Sequence, residues 1–275
     1  MTQILEIHTD PVHAMAGFDA PETKLDMHEA SLNVPEASLN KHEARFNMRE
    51  ARFNMIEQQI RTWEVLDPVV LALLDEVPRE NFVPESQMGL AFADTELPID
   101  YGQTMLSPKL EGRILQALSV KATDKVLLIG TGSGYLTALL AALANHVDAV
   151  EINPALSKIA KARLEKQHIR NVTLHIKDGV NGFPDNAPYD IIVFTGSLPL
   201  RPLDAEKMLT TGGRLFVVTG EKPIMQAILT QRIGAESFRR DILFETSLPE
   251  LINAPQAPKF EFKQACLCPM KPRIQ

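Results

Sequence analysis

Hydrophobic and polar residues follow two patterns along the middle of the chain, one typical of strands and one typical of helices. Short apolar runs, typical of buried parallel strands, are separated by stretches with apolar residues at helical spacing. Regular alternation of strand and helix indicates a mostly parallel sheet with helices on both faces. The predicted order is strand Lys125–Gly130, helix Tyr135–Ala144, strand Val147–Glu151, helix Pro154–Gln167, strand Val172–Ile176, strand Ile191–Thr195, helix Leu203–Leu209 and strand Arg214–Val218.

The chain on either side of this alternation follows other patterns. Gln226–Ile233 and Phe238–Phe244 predict a closing antiparallel hairpin around a glycine. Upstream, Pro68–Val77 and Lys109–Leu118 are predicted helices, and stretches 82–85 and 96–108 are predicted extended loops. The predicted fold class is therefore α/β, a Rossmann-like sheet of seven strands with an N-terminal helical extension.

A seven-residue repeat of the form Glu-Ala-(Ser/Arg)-(Leu/Phe)-Asn lies upstream of the predicted helix Pro68–Val77. Its copies begin at Glu29, Glu36, Glu43 and Glu50. A heptad period is compatible with a coiled coil, but Pro35 interrupts the early copies and only a few heptads exist. We favour tandem duplication of one helical segment, which extends a helix that begins near Lys41 and continues to Trp63.

These patterns divide the chain into four predicted parts. Residues 1–40 form a mobile leader with the repeats, and residues 41–118 form a helical cap with a substrate loop. Residues 119–250 form the Rossmann-like ligand-binding domain. Residues 251–275 form a C-terminal tail with no readable period.

Composition restricts the class of protein. The 275 residues are 45% hydrophobic and 23% charged, as in soluble globular proteins, and the net charge of −7 argues against a dedicated nucleic-acid binder. No apolar run is long enough to span a bilayer, and the N-terminus does not resemble a secretory signal. Cys266 and Cys268 alone do not predict a metal site. We expect a cytoplasmic protein without a metal, a membrane or a nucleic-acid partner, and the sequence does not fix its oligomeric state.

Three predicted strands are followed by residues suited to binding a nucleoside. The turn Gly130–Gly134 joins the first strand to a helix, Glu151 ends the second strand, and Asp178 with Gly179 follows the third. Glycines allow a ligand to approach the backbone closely, although such a turn also occurs without any ligand. A carboxylate at the end of the second strand can accept both ribose hydroxyls, and one after the third can accept from an adenine amino group. Together these features predict nucleoside binding.

The glycine spacing decides between nucleosides. Dinucleotide-binding proteins carry G-x-G-x-x-G, whereas the turn here reads G-x-G-x-G, and no arginine follows the second strand to receive a 2′-phosphate. G-x-G-x-G with an acid after the second strand is the usual pattern of S-adenosylmethionine-dependent methyltransferases. We therefore predict S-adenosylmethionine as the cofactor and a class I methyltransferase fold.

Several segments carry a more specific resemblance, which extends from about Asn47 to Thr246. They are VPRENFVPE (Val77–Glu85), LPIDYGQT (Leu97–Thr104), IGTGSGY (Ile129–Tyr135), VEINPAL (Val150–Leu156), DGVNGFPDNAPYD (Asp178–Asp190) and TGGRLFVV (Thr211–Val218). In these segments the chain resembles the protein-L-isoaspartate O-methyltransferase family. The resemblance implies a carboxyl methyltransferase that esterifies L-isoaspartyl residues of damaged proteins or peptides.

The resemblance also implies the roles of individual residues. Thr104 and Ser107 are the expected catalytic residues. The expected cofactor-binding residues are Gln103, Gly130, Thr131, Gly132, Ser133, Gly134, Glu151, Asp178, Gly179 and Thr195. Methyl transfer to an ionised carboxylate requires no general base, so positioning and exclusion of water are the expected catalytic contributions.

Two positions depart from the family pattern. The family's loop reads roughly Gln-Thr-Ile-Ser-Ala-Pro-His, whereas this chain has Leu106 at the serine position and Ser107 directly after it. Leu128 replaces a glutamate that helps to position the methionine end of the cofactor. Loss of either polar group is expected to cost about 1–3 kcal/mol, unless Leu128 simply packs in a buried strand.

Two other functions are compatible with the same sequence. One is a methyltransferase of the same descent with a different acceptor, and the other is a non-catalytic cofactor-binding or scaffold protein that interacts through the heptad helix. A base-amino methyltransferase of DNA or RNA is disfavoured. Such enzymes commonly carry Asn/Asp-Pro-Pro-aromatic after the fourth strand, where this chain has Thr195-Gly196-Ser197-Leu198-Pro199.

Overall fold

The computed structural model describes residues 47–256. The predicted leader, the repeat copies at Glu29, Glu36 and Glu43, and both cysteines lie outside the described residues. The described chain begins in a helix, α1 (47–55), which continues as a π-helical turn at Ile56–Ile60 and a 3₁₀ turn at Arg61–Trp63. It ends at Glu64, whose φ of 60° is left-handed. Within the described residues, no helix has the length and apolar character needed to cross a membrane.

The remaining elements alternate along the chain as the sequence predicts. The helices are α2 (Pro68–Glu76), α3 (Pro108–Leu118), α4 (Tyr135–Leu143), α5 (Pro154–Lys166) and α6 (Leu203–Lys207). The strands are β1 (Leu97–Pro98), β2 (Thr104–Met105), β3 (Lys125–Ile129), β4 (His146–Glu151), β5 (Val172–Ile176), β6 (Tyr189–Leu198), β7 (Leu209–Glu221), β8 (Ile224–Arg232) and β9 (Phe238–Thr246).

Seven of these strands form one sheet in the order β5-β4-β3-β6-β7-β8-β9. Strands β5, β4, β3, β6 and β7 pair in parallel with one another, and β8 and β9 add antiparallel pairs at the β7 edge. The chain leaves β3 toward β4 on one side and later returns to β6 on the other side. The carboxyl ends of β3 and β6 therefore form a topological switch point, where open α/β sheets bind their ligands.

Alternate residues of the central strands face two separate cores. Val126 and Leu128 of β3 belong to a large core that also contains buried residues of α2, α3, α4 and α5. Leu127 and Ile129 face a smaller core, in which Ala205 of α6 packs with Val180 and Phe183. This period of two with both faces apolar is the mark of a strand buried inside a layered α/β domain.

Helix starts follow directly from local sequence. Asp67 caps α2 by accepting from the Val69 N–H at 2.8 Å, and Asn153 caps α5 by accepting from the Ala155 N–H at 2.9 Å. Each cap is followed by proline at the first helical position, where a missing N–H costs nothing.

The structure confirms the predicted fold class and the closing hairpin, and it corrects several boundaries. Strands β6 and β7 extend beyond Ile191–Thr195 and Arg214–Val218, with irregular pairing between Val193 and Ser197. The stretches predicted as extended loops also contain short regular structure. Two 3₁₀ turns flank Val83–Pro84, and the chain 96–108 forms the small pair β1–β2. Pairs of only two residues leave no periodic pattern in the sequence.

Candidate active site

A cavity opens at the carboxyl ends of β3, β4, β5 and β6. Three named segments surround it. These are the glycine turn (Gly130–Gly134), the acceptor loop (Gln103–Lys109) and a C-terminal strap (Leu248–Ala254). The cavity is lined by Gln103, Thr104, Leu106, Ile129, Gly130, Gly132, Val150, Glu151, Ile152, Asn153, Leu156, Lys177, Asp178, Gly179, Val180, Thr195, Gly196, Pro249, Glu250, Leu251 and Ile252.

The glycine turn has a backbone that only glycine adopts easily. Gly130, Gly132 and Gly134 have φ values of 88°, 53° and 90°. A Cβ at Gly130 would overlap the Thr195 hydroxyl, and one at Gly134 would lie 3.3 Å from the Cβ of Ala160 in α5. The turn is therefore open toward the cavity and closely packed against the protein behind it.

Glu151 is held at the end of β4 by two backbone donors. Its Oε2 accepts from the Gly132 N–H at 2.9 Å, and its Oε1 accepts from the Asn153 N–H at 3.0 Å. The side chain is buried and lines the cavity. A carboxylate offers about four lone-pair sites, so Glu151 retains acceptor capacity toward the cavity. The bond to Gly132 joins the glycine turn to the neighbouring strand.

Asp178 lies across the cavity from the glycine turn, beyond the end of β5. Its Oδ1 accepts from the Val180 N–H at 3.0 Å, and its Oδ2 accepts from the Asn253 side-chain amide at 2.8 Å. The next residue, Gly179, passes over the strand ends so closely that a Cβ would lie 2.9 Å from Ile129 Cδ1. This fixes the backbone that carries the predicted adenine-binding acid.

Thr195 lies within β6 rather than at its end. Its hydroxyl lies 3.0 Å from the Ile129 carbonyl oxygen and 2.9 Å from that of Gly130, to which it donates. It lines the cavity and also ties β6 to the start of the glycine turn. Thr195 therefore both lines the cavity and stabilises the connection between β6 and the glycine turn.

Three of the predicted cofactor-binding residues do not line the cavity. Thr131 and Ser133 alternate with the glycines of the turn, and their side chains are buried. Ser133 Oγ accepts from the Tyr135 N–H at 3.3 Å at the start of α4. Gly134 begins that helix and faces α5. Cofactor binding by these three residues therefore stays a prediction.

The acceptor loop brings Gln103, Thr104 and Leu106 to the cavity but not Ser107. Ser107 lines a second cavity together with Trp63, Lys109 and Phe244. Neighbouring residues of an extended chain point to opposite sides, so Ser107 is directed away from the side that Leu106 faces. Thr104 and Ser107 therefore line different cavities, and a catalytic role for Ser107 stays a prediction.

A buried arginine supports the acceptor loop from below. Arg79 Nε donates to the Ala91 carbonyl oxygen at 2.9 Å and its Nη2 donates to that of Leu106 at 2.6 Å, while Nη1 pairs with Glu111 of α3. The guanidinium also lies 5.0 Å from the centre of the Tyr135 ring, at the start of α4. Burial raises the pKa of Glu111 to about 7, although Arg79 opposes the shift.

Arg79 lies in one of the segments that resemble the family, but the sequence alone does not indicate its role. An arginine in an apolar, proline-bounded stretch was the available signal, since buried charges need partners. The strap was missed altogether. It follows the last strand, and its apolar residues are too few to show a period.

Leu128 has no exposed surface and belongs to the large core. The alternative reading, that it packs in a buried strand, is the one that the structure supports. Among residues 47–256, no group of three or more His, Cys, Asp or Glu side chains is arranged to hold a metal ion.

Comparison with known proteins identifies the family. The profile described as "Protein-L-isoaspartate(D-aspartate) O-methyltransferase (PCMT)" matches residues 50–245. This chain belongs to the protein-L-isoaspartate O-methyltransferase family. A Magnetococcus marinus protein-L-isoaspartate O-methyltransferase is 42% identical over 177 residues, which cover 64% of this chain and 78% of that protein. Protein-L-isoaspartate O-methyltransferase 2 of Pelobacter propionicus is 37% identical over 198 residues, which cover 72% of this chain and 88% of that protein.

Solved structures agree with this assignment. A protein-L-isoaspartate O-methyltransferase structure matches with a TM-score of 0.66 and 25% identity, covering 75% of this chain and 67% of the other. A Plasmodium falciparum protein, described as a putative member with S-adenosyl-L-homocysteine, matches with a TM-score of 0.63 and 18% identity. The match covers 74% of this chain and 98% of that chain, and it supports the fold. Members of the protein-L-isoaspartate O-methyltransferase family are methyltransferases, so this chain is placed among transferases that use S-adenosylmethionine.

Proposed function

We propose that this protein binds S-adenosylmethionine and methylates the free carboxylate of L-isoaspartyl residues in damaged proteins or peptides. The observation that carries the proposal is the convergence of the glycine turn, Glu151 and Asp178 on a cavity that opens onto the acceptor loop. The predicted ribose and adenine acids lie on successive parallel strands, at the edge where such sheets bind ligands.

The residues present fit an adenosyl group. At Gly130 and Gly179, a Cβ would collide with the surrounding protein. Glycine at both positions therefore lets the backbone pack against the protein on one side and leaves its cavity side open to a ligand. Glu151 keeps free acceptor sites suited to hydroxyl donors, and Asp178 keeps acceptor sites suited to an amino donor. When bound, S-adenosylmethionine supplies a methyl group on a positively charged sulfur.

The contribution of the protein is then mainly geometric. Gln103 and Thr104 are polar groups on the acceptor-loop side of the cavity, and Thr104 is the one of the two that carries a hydroxyl. A carboxylate is already ionised at neutral pH, so the residues need to orient it and exclude water rather than remove a proton. Arg79 holds the Leu106 carbonyl and hence the path of the loop.

The proposal includes proteins or peptides with isoaspartyl residues as partners, and a cytoplasmic location. The location rests on the presence of only two cysteines in 275 residues, which suits a reducing compartment.

A labelled methyl-transfer assay tests the function. A peptide with one isoaspartyl residue is compared with the same peptide containing ordinary aspartate, using wild type and Glu151→Gln. We expect label only in the isoaspartyl peptide. Glu151→Gln is expected to weaken cofactor binding by about tenfold to a hundredfold, because the amide loses the charge and keeps only one of the two oxygens that accept from the Gly132 and Asn153 N–H groups. Binding of cofactor without label in the isoaspartyl peptide would disprove this acceptor.

A second candidate is a methyltransferase with a different acceptor. The specific observation in its favour is Leu106, which gives the acceptor end of the cavity an apolar wall where the family has a serine. Label transferred to components of a cell extract, but not to the isoaspartyl peptide, would select this candidate.

A further inference from the structure

The second cavity shares a wall with the acceptor end of the first. Its lining residues come from the acceptor loop, from Trp63, from the stretch 94–96, from α3 and from the end of β9. The acceptor loop is common to both, because Thr104 lines the cofactor cavity whereas Ser107 and Lys109 line the second one. A polypeptide whose isoaspartyl carboxylate occupies the first cavity can therefore place a neighbouring side chain in the second.

Glu96 lies at the boundary between the two cavities. It immediately precedes β1, in which Pro98 pairs with Thr104 of β2. The Thr104 hydroxyl donates to Glu96 Oε2 at 3.5 Å, and the Glu96 side chain lines the second cavity. The short β1–β2 pair thus holds a carboxylate beside the residue that carries the hydroxyl of the acceptor side. Glu96 lies between the segments that resemble the family, so the resemblance assigns it no role.

The two basic side chains of the second cavity already have acidic partners. Lys109 Nζ lies 2.9 Å from Asp94 Oδ2 and 4.2 Å from the centre of the Trp63 ring. Arg113 Nη1 lies 3.3 Å from Glu64 Oε2. The positive charge of this cavity is therefore balanced before any ligand enters.

The acids of the second cavity are in excess. Besides Asp94, it is lined by Glu96 and Glu245, and neither of these two forms an ion pair within residues 47–256. Burial raises the pKa of Glu96, because a half-buried carboxylate is incompletely solvated, while the Thr104 hydroxyl and the charge of Lys222 oppose the rise. A cation that entered the cavity would stabilise the ionised carboxylate. The cavity therefore favours a positively charged side chain.

We propose that Glu96 is a specificity-determining residue, which pairs with a lysine or arginine that flanks the isoaspartyl residue of the substrate. The inference rests on the proposed function for the identity of the acceptor. Leu110 and Phe244 give the second cavity apolar walls, against which the stem of a long basic side chain can pack while its charged end reaches Glu96. A glutamate at the same position of the substrate would instead meet the excess of negative charge.

Methyl-transfer kinetics on a series of peptides tests this inference. The peptides share one isoaspartyl residue and carry lysine, norleucine or glutamate at one flanking position, on either side in turn. On at least one side, we expect the kcat/KM of wild type to be about fivefold higher with lysine than with norleucine, and lowest with glutamate. The difference should lie mainly in KM, and sodium chloride should reduce it, because salt screens an accessible ion pair.

Two substitutions test whether Glu96 causes the preference. Glu96→Gln keeps an acceptor for the Thr104 hydroxyl but loses the charge, so the lysine and norleucine peptides should become equal. Glu96→Lys should reverse the order and favour the glutamate peptide. Each ratio compares peptides on one variant, so a general loss of activity through Thr104 does not alter it.

Glu221→Gln is the matched control. It removes one carboxylate from the exposed end of β7, and Glu221 lines neither cavity. The ratio between the lysine and norleucine peptides should therefore stay at its wild-type value.

The outcomes separate this inference from the proposed function. If wild type methylates all the isoaspartyl peptides equally well, the inference is wrong while the proposed function stands. If the preference survives in Glu96→Gln, or if Glu221→Gln removes it to the same degree, Glu96 is not its source and the inference is wrong. If no isoaspartyl peptide is labelled, the proposed function fails and the inference fails with it.

Discussion

The glycine turn and the acceptor loop face each other across one cavity, but they are held in different ways. The glycine turn lies between β3 and α4, and its bond from Gly132 to Glu151 spans 19 residues between adjacent parallel strands. The acceptor loop contains only the two-residue strand β2, and it is anchored through Arg79, which lies 27 residues before Leu106. The glycine turn is held by the seven-stranded sheet, whereas the acceptor loop is held by the short β1–β2 pair and by the buried Arg79 side chain.

This difference explains which side tolerates departures from the family pattern. Beneath the glycine turn, Leu128 is packed in the large apolar core. Leucine in place of the family's glutamate is therefore accommodated there by apolar contacts. In the acceptor loop, Leu106 lines the cavity with an apolar side chain, and the hydroxyl of Thr104 lines the same cavity two residues earlier. The cofactor side has kept its geometry, and the acceptor side has changed its chemistry.

The largest expected effect comes from forcing the family residue into the core beneath the glycine turn. Leu128→Glu would place a carboxylate at a position with no exposed surface. We expect the free energy of unfolding in urea to fall by about 3 kcal/mol or more, because an unpaired buried charge is costly. Leu128→Met, which nearly conserves volume, should cost less than about 1.5 kcal/mol. A stable Leu128→Glu protein with tighter cofactor binding would refute the packing interpretation.

The next effect concerns the anchor of the acceptor loop. Arg79→Lys keeps the charge but cannot donate to Ala91, Leu106 and Glu111 at once. We expect kcat for methyl transfer to fall by about tenfold to a hundredfold, because a small displacement of the acceptor position is sufficient. The Kd for S-adenosyl-L-homocysteine, measured by calorimetry, should change by less than about twofold, since the glycine turn stays in place.

The matched control for this anchor is Arg214→Lys. Arg214 also pairs with a largely buried acid, Asp124, but at the amino ends of the strands, away from the cavity. It should lower stability without lowering kcat in the folded protein. Equal losses of kcat in both variants would show that Arg79 acts only through global stability.

Restoring the family hydroxyl should produce a smaller gain. In Leu106→Ser, we expect kcat/KM for the isoaspartyl peptide to rise by about tenfold, through one added hydrogen bond to the acceptor. Ser107→Ala should change the same constant by less than about twofold, because Ser107 lines the other cavity. A large loss of kcat/KM in Ser107→Ala, together with no gain in Leu106→Ser, would show that Ser107 supplies the catalytic hydroxyl.

The smallest effect is a pH dependence of stability at the Arg79–Glu111 pair. Burial raises the pKa of Glu111 from 4.5 to about 7, so the folded protein binds its proton more tightly than the unfolded chain does. This contribution to stability is fully present below the unfolded pKa and is lost as pH rises through about 7. The free energy of unfolding should therefore fall by about 1 kcal/mol or more over this window.

Comparison with Glu111→Gln isolates this contribution. The variant has no proton to lose, so the difference in unfolding free energy between wild type and variant should shift across the same pH window. Urea titrations at pH 5, 6, 7 and 8 measure it. A constant difference between the two proteins would mean that Glu111 stays ionised throughout.

Much of the cofactor side followed from the sequence. Strand and helix periods predict the element order, and the rule for parallel strands places Glu151 and Asp178 at one edge of the sheet. The sequence does not give side-chain direction within the turn. Thr131 and Ser133 share the turn with its glycines but do not line the cavity, because side-chain direction in a tight turn depends on its φ and ψ angles rather than on the motif.

The sequence by itself determined the layered α/β fold, the family and the acids at the strand ends, because these depend on short periods and on near neighbours along the chain. Only the tertiary structure decided that Ser107 faces away from the cavity, that Arg79 anchors the acceptor loop, and that Asn253 reaches Asp178 across 75 residues of sequence. Such contacts depend on how separate elements pack. Packing brings together residues that are far apart in the sequence, and the local pattern around each residue does not indicate which residue it will contact.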